Sequence, residues 1–225
     1  MNESGQSNGA TPTSSTPGGS SFGATLLHVA WLAILLGIVM EVLLLLLAGG
    51  FGILPGFEST VADLVGKVSW STIVCAGLAL GPAASKVREP VMGLLGLLAA
   101  PLAFNVSRFL QQGAVQILAV GGIAGSSTPV YILALIKGVE YGCLGAALGW
   151  VAQRPWGGAL AHAAVGLMAG ILFGSVVMAL TYWTSPEPPA TPDLISQGLN
   201  EIFFPVGCSL VLFSAENLGK RAAAR

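Results

Sequence analysis

Six segments of this chain are each apolar over roughly the 20 residues that a helix needs to cross the hydrocarbon of a bilayer. That pattern narrows the possible architectures more than any other feature. The segments cover approximately 26–49, 66–84, 90–111, 130–151, 158–182 and 197–217. In hydrocarbon a backbone N–H or C=O must find its partner within the segment, so runs of this length are expected as α-helices. The third run is the weakest, because Pro101 interrupts it and Asn105 and Arg108 come near its end. A proline is tolerated in such a helix where neighbours satisfy the freed carbonyl, and a kink is expected. Residues 114–129, AVQILAVGGIAGSSTP, are apolar but short and Gly-rich, and read as an interfacial or re-entrant piece. The expected fold is an all-α integral membrane protein, a bundle of about six transmembrane helices.

Composition agrees and excludes other classes. Hydrophobic residues make up 54% of the chain and charged residues 8%, with a mean hydropathy of +0.80, beyond what a water-soluble domain carries. A formal net charge of -1 provides no basic field for nucleic acid, which is excluded as a partner. Residues 1–24, rich in Ser, Thr, Gly and Pro, read as a flexible tail; 25–218 as the polytopic domain; 219–225 as a basic cytoplasmic tail. The tail lacks the charged n-region of a secretory signal, so the first helix is expected to be retained.

Lys and Arg collect on the cytoplasmic side of a membrane protein. Lys86, Arg88, Arg154, Lys220, Arg221 and Arg225 share one side under the six-segment reading, while Glu58, Asp63, Glu187 and Asp193 occupy the opposite loops. Both termini are therefore expected in the cytoplasm, and the membrane is expected to be a plasma or inner membrane. Ser59 with the acids after it, and Thr191-Pro192-Asp193, read as helix starts. A parallel internal repeat is also legible: Leu26-Leu27-His28-Val29-Ala30 resembles Leu160-Ala161-His162-Ala163-Ala164, and Asp63-Leu64-Val65 resembles Asp193-Leu194-Ile195. This pairs helices one and two with helices five and six.

Three features point towards chemistry. Lys137 and Glu140 stand at i, i+3 inside the fourth run, on one helix face where opposite charges pair. Ionisable groups at membrane depth are functional-site candidates by default, the alternative being an ion pair that fixes helix register. Counting residues from the outer helix ends brings Glu41 to a similar depth, with Arg108 and Glu201 nearer the outer surface. The candidate transport cluster is thus Glu41, Lys137, Glu140, Arg108 and Glu201, in which Glu41 or Glu140 would exchange a proton or bind a cation. Second, Gly138, Gly142, Gly145 and Gly149 line one face of the fourth run, and Gly166, Gly170 and Gly174 one face of the fifth. They read as packing surfaces that bring these two helices together across the QRPWGG turn, or as interfaces between copies. Breaks at Pro101, Pro205 and Gly207 would expose carbonyls, though a simple kink is the simpler reading. Third, His28 and His162 are the two histidines of the chain, near equivalent helix ends, and are weak candidates for haem ligands.

No nucleophile elbow, metalloprotease, Walker or dinucleotide motif occurs, and Ser69, Ser71 and Thr72 are expected to bond carbonyls of their own helix. Cys75, Cys143 and Cys208 lie in separate apolar runs and suggest neither a disulfide framework nor a zinc site. The expectation is a non-enzymatic permease or channel-like transporter for an ion or small polar solute, without metal or cofactor. Its partners are the lipid bilayer, the solute and either copies of itself or other membrane subunits. The rival expectation is a non-catalytic anchor or assembly subunit of a larger membrane complex, and a minor one is a bis-His haem electron carrier.

Overall fold

The computed structural model describes residues 18–84, 88–118, 129–187 and 189–223. They form six helices and no strand: α1 (Gly18–Gly50), α2 (Phe57–Ala84), α3 (Arg88–Ile117), α4 (Val130–Val151), α5 (Ala159–Thr184) and α6 (Thr191–Ala223). Each helix is long and apolar enough to cross a membrane. Several run past the apolar segments, because residues at a helix end need no hydrocarbon to stay helical. α2 starts at Phe57, where Ser59 Oγ and Thr60 Oγ1 both donate to the Gly56 carbonyl. α6 starts at Thr191. Residues 1–17 of the expected tail, most of the 114–129 piece, and Lys86 lie outside the described residues.

Consecutive helices pack antiparallel, and α6 closes the ring against α1 while also touching α2 across the middle. The α1–α2 turn shows why the chain reverses there. The N–H of Ile53 donates to Ala48 O and that of Gly52 to Gly49 O. This double bond pattern caps a helix only when the residue after it turns left-handed, and Gly52 has φ 72°.

The two glycine faces do not meet each other, contrary to the expected α4–α5 contact. α4 turns Gly138, Gly142, Gly145 and Gly149 towards α3, where a methyl group on them would press on Leu97 and Pro101, Gly93, Met92 and Glu89. α5 turns Gly166, Gly170 and Gly174 towards Pro205, Ile202 and Glu201 of α6. Glycine-lined contacts let backbones approach closely, and α3 meets the α4 face with glycines of its own, Gly93 and Gly96. Both helices with internal proline continue through it. Proline at 101 deprives the Leu97 carbonyl of its helical donor, and proline at 205 does the same to Glu201. A Cβ on Gly138 would stand 3.1 Å from Leu97 O, and one on Gly170 2.9 Å from Glu201 O. Each freed carbonyl is therefore faced by a glycine of the neighbouring helix, whose Cα–H groups are weak donors.

The shared core holds Val74, Cys75 and Leu78 of α2, Met92 of α3, Tyr141, Leu144 and Leu148 of α4, and Cys208, Val211 and Leu212 of α6. Large apolar side chains also cover the outside, among them Trp31 and Leu46 on α1, Leu98 and Phe109 on α3, and Leu160 and Met168 on α5. A water-soluble protein does not expose apolar surface on this scale.

Candidate functional site

The site grows from the i, i+3 pair on α4. Lys137 Nζ stands 2.8 Å from Glu140 Oε2, and the same ammonium contacts Glu201 Oε2 of α6. All three side chains are nearly enclosed, with 11% of Lys137, 9% of Glu201 and none of Glu140 exposed. α5 makes room for the third member: a Cβ on Gly174 would come within 2.9 Å of Glu201 Cβ, so a glycine there is what lets Glu201 sit between helices. Two carboxylates thus share one ammonium. Glu140 Oε1 has no hydrogen-bond partner among the described residues.

Glu41 does not join this cluster. Antiparallel packing of α1 on α2 delivers it to Lys67, with Oε2 at 2.6 Å from Nζ. Counting residues gives depth along a helix but not which helices adjoin, so sequence alone does not mark Lys67 as the partner of Glu41. The same pair of helices is tied by Ser71 Oγ, which donates to Ala33 O at 2.7 Å, while Thr72 Oγ1 bonds back to Val68 O within α2. Beside the pair, Gln111 Nε2 of α3 donates to Asp63 Oδ1 of α2 at 2.6 Å. Arg108 lies over its own helix neighbour Phe104, with the guanidinium carbon 5.6 Å from the ring centroid.

Lys67, Arg108, Lys137 and Glu201 line one cavity of about 340 Å3 between α2, α3, α4 and α6. Ser107, Ser196, Gln197 and Asn200 add neutral polar groups, and Trp70, Phe104, Tyr141 and Phe204 add aromatic wall. Trp70 packs edge-on against both Phe104 and Tyr141. The Asn200 Oδ1 acceptor has no hydrogen-bond partner among the described residues. Trp70 and Phe204 each lie 13 residues from the start of their helix, roughly 20 Å along the axis. The cavity therefore reaches from the end carrying the α1–α2 and α5–α6 loops well into the bundle. Deeper still lies the apolar core of Val74, Cys75, Leu78, Leu144 and Leu148.

The chain matches no family model, no curated protein and no solved structure. What the site can do rests on its geometry.

Other candidates fall elsewhere. His162 is buried, with Nδ1 3.0 Å from Gly158 O and its ring 5.1 Å from that of Phe213; His28 is half-buried on α1. The cysteines do not all lie apart, since α2 and α6 bring the free thiols of Cys75 and Cys208 to an Sγ–Sγ distance of 3.2 Å in the core. Two separate runs gave no sign of this, because the spacing of α2 and α6 is a tertiary property. At the end of the bundle away from the cavity, Arg88 pairs with Glu216 at 3.1 Å and Gln153 reaches Glu89 at 3.2 Å.

Proposed function

We propose that this chain is an integral membrane permease or channel-like transporter for an ion or small polar solute, and that the cavity between α2, α3, α4 and α6 is its solute site. One observation carries the reading: charged and polar side chains from four helices gather on one cavity in the outer half of a bundle whose outer surface is apolar. Polar groups at such depth are expensive, and they are retained where something polar must be handled. Lys137, Arg108 and Lys67 offer cations, Glu201 and Asp63 anions, and Asn200 a free acceptor. A solute exchanging its hydration shell needs such a set. The basic residues near Arg88 and Arg154 orient that end towards the cytoplasm, so the cavity opens outward and both termini are inside, in a plasma or inner membrane. Below the cavity lie the apolar core and the Arg88–Glu216 pair, which in this reading form the inner barrier. A subunit serving only as an anchor has no use for a cavity of this kind.

The experiment is site accessibility in a chain whose three cysteines are replaced by alanine. Asn200→Cys is expected to react with a small hydrophilic thiol reagent applied from outside, and Ser209→Cys, buried one helix segment deeper, to stay inert. If Asn200→Cys is as inert as Ser209→Cys in intact membranes, the cavity is closed to water and the proposal fails.

A further inference from the structure

We infer that the Lys137–Glu140–Glu201 triad binds one proton, held between its two carboxylates, and so supplies the coupling ion of the transporter. The role in transport rests on the permease reading; the binding itself is a property of the triad.

The argument is a charge count in an enclosed place. Glu41 and Lys67 balance one for one, as do Arg88 and Glu216. The triad does not balance, because a single ammonium contacts carboxylates on both α4 and α6. Its formal charge is -1, and a buried charge left without compensation is costly. The fully enclosed Glu140 keeps one oxygen, Oε1, without a hydrogen-bond partner among the described residues, so no donor there offsets the surplus.

Neighbouring helices do not supply the missing charge. On α4 the other titratable groups beside Glu140 are the buried Tyr141 and the exposed Cys143. α6 carries Cys208 in contact with Cys75 of α2. α3 brings Arg108 to the shared cavity, but that guanidinium lies over Phe104; the other charged residues of α3, Arg88 and Glu89, are engaged at the opposite end. α5 carries His162 against Gly158 and Phe213, and Tyr182 on the outside.

A monovalent cation would neutralise the triad, and a proton fits better than a metal ion. The third group of the cluster is an ammonium, which repels a metal ion and cannot ligate it. Among the described residues no three His, Cys, Asp or Glu side chains come together as a metal site. A proton needs no coordination shell. Glu201 lines the cavity and Glu140 does not, so Glu201 is the door: a proton arriving from the cavity forms an O–H bond on either carboxylate and is released when that bond breaks.

The test is infrared spectroscopy of the full chain in an ester-free detergent at neutral pH, reading the C=O stretch of a protonated carboxyl and its shift in deuterated water. The wild type should show this stretch. Glu140→Gln and Glu201→Gln should each abolish it, because either change leaves one ammonium for one carboxylate, whereas Glu216→Gln should leave it in place. Absence of the stretch in the wild type, or its retention in either triad variant, overturns the inference; should one variant not fold, the other decides. Those results would leave the permease reading standing. A correct stretch in a protein that moves no solute would remove the permease reading and leave the proton site.

Discussion

Lys137 and its two carboxylates are unequal in what their loss should do. Replacing Lys137 by Gln leaves Glu140 and Glu201 facing each other without a cation in an enclosed site, and removal of one partner from a buried pair typically costs about 3–5 kcal/mol. Replacing Glu201 by Gln leaves a one-to-one pair. Thermal unfolding followed by tryptophan fluorescence should therefore rank Lys137→Gln well below Glu201→Gln, and the reverse order would mean that the ammonium does not hold the triad together. At this scale the sequence was partly legible. Lys137 and Glu140 could be paired from i, i+3 spacing alone, since both lie on one helix. Glu201 could be marked as an acid of the cluster on another helix, nearer the outer surface, but its contact with Lys137 depends on Gly174 making room from a third. Glu41 went to Lys67 rather than to Lys137 for the same reason: a helix reports depth, and neighbours decide partners.

The glycine-lined contacts organise the elements, and the substitutions that test them separate cleanly. A Cβ on Gly96 would collide with the Tyr141 carbonyl, backbone against backbone, whereas one on Gly113 of the same helix meets nothing within 4 Å. Gly96→Val should force α3 and α4 apart and cost at least the 1–3 kcal/mol typical of overpacking. Gly113→Ala should be neutral or gain up to about 1 kcal/mol from helix propensity. Equal melting temperatures for the two variants, measured in the same detergent, would contradict the α3–α4 contact. Periodicity revealed that both glycine faces exist, because a face is a property of one helix. Which helix each face meets was not legible, since that depends on the glycines of α3 and on the proline-freed carbonyls of α3 and α6.

At the level of the molecule, the number of helices was legible from apolar length, because length is what the hydrocarbon thickness dictates. The cavity was not, being assembled from residues that lie as far apart in sequence as Asp63 and Phe204. The proposed orientation predicts that Glu58→Cys and Glu187→Cys label from outside intact cells and that Arg154→Cys labels only after the membrane is opened; a uniform pattern for all three would overturn it. The central claim is that a polar solute passes through this cavity. Its most direct measurement is stopped-flow swelling of proteoliposomes against a panel of small ions and polar solutes, comparing the wild type with Ser107→Trp, which fills the cavity, and with protein-free liposomes. At least one solute is expected to enter wild-type vesicles faster than protein-free ones, with Ser107→Trp falling back towards the protein-free rate. Wild-type rates indistinguishable from those of protein-free liposomes across the whole panel would contradict the claim.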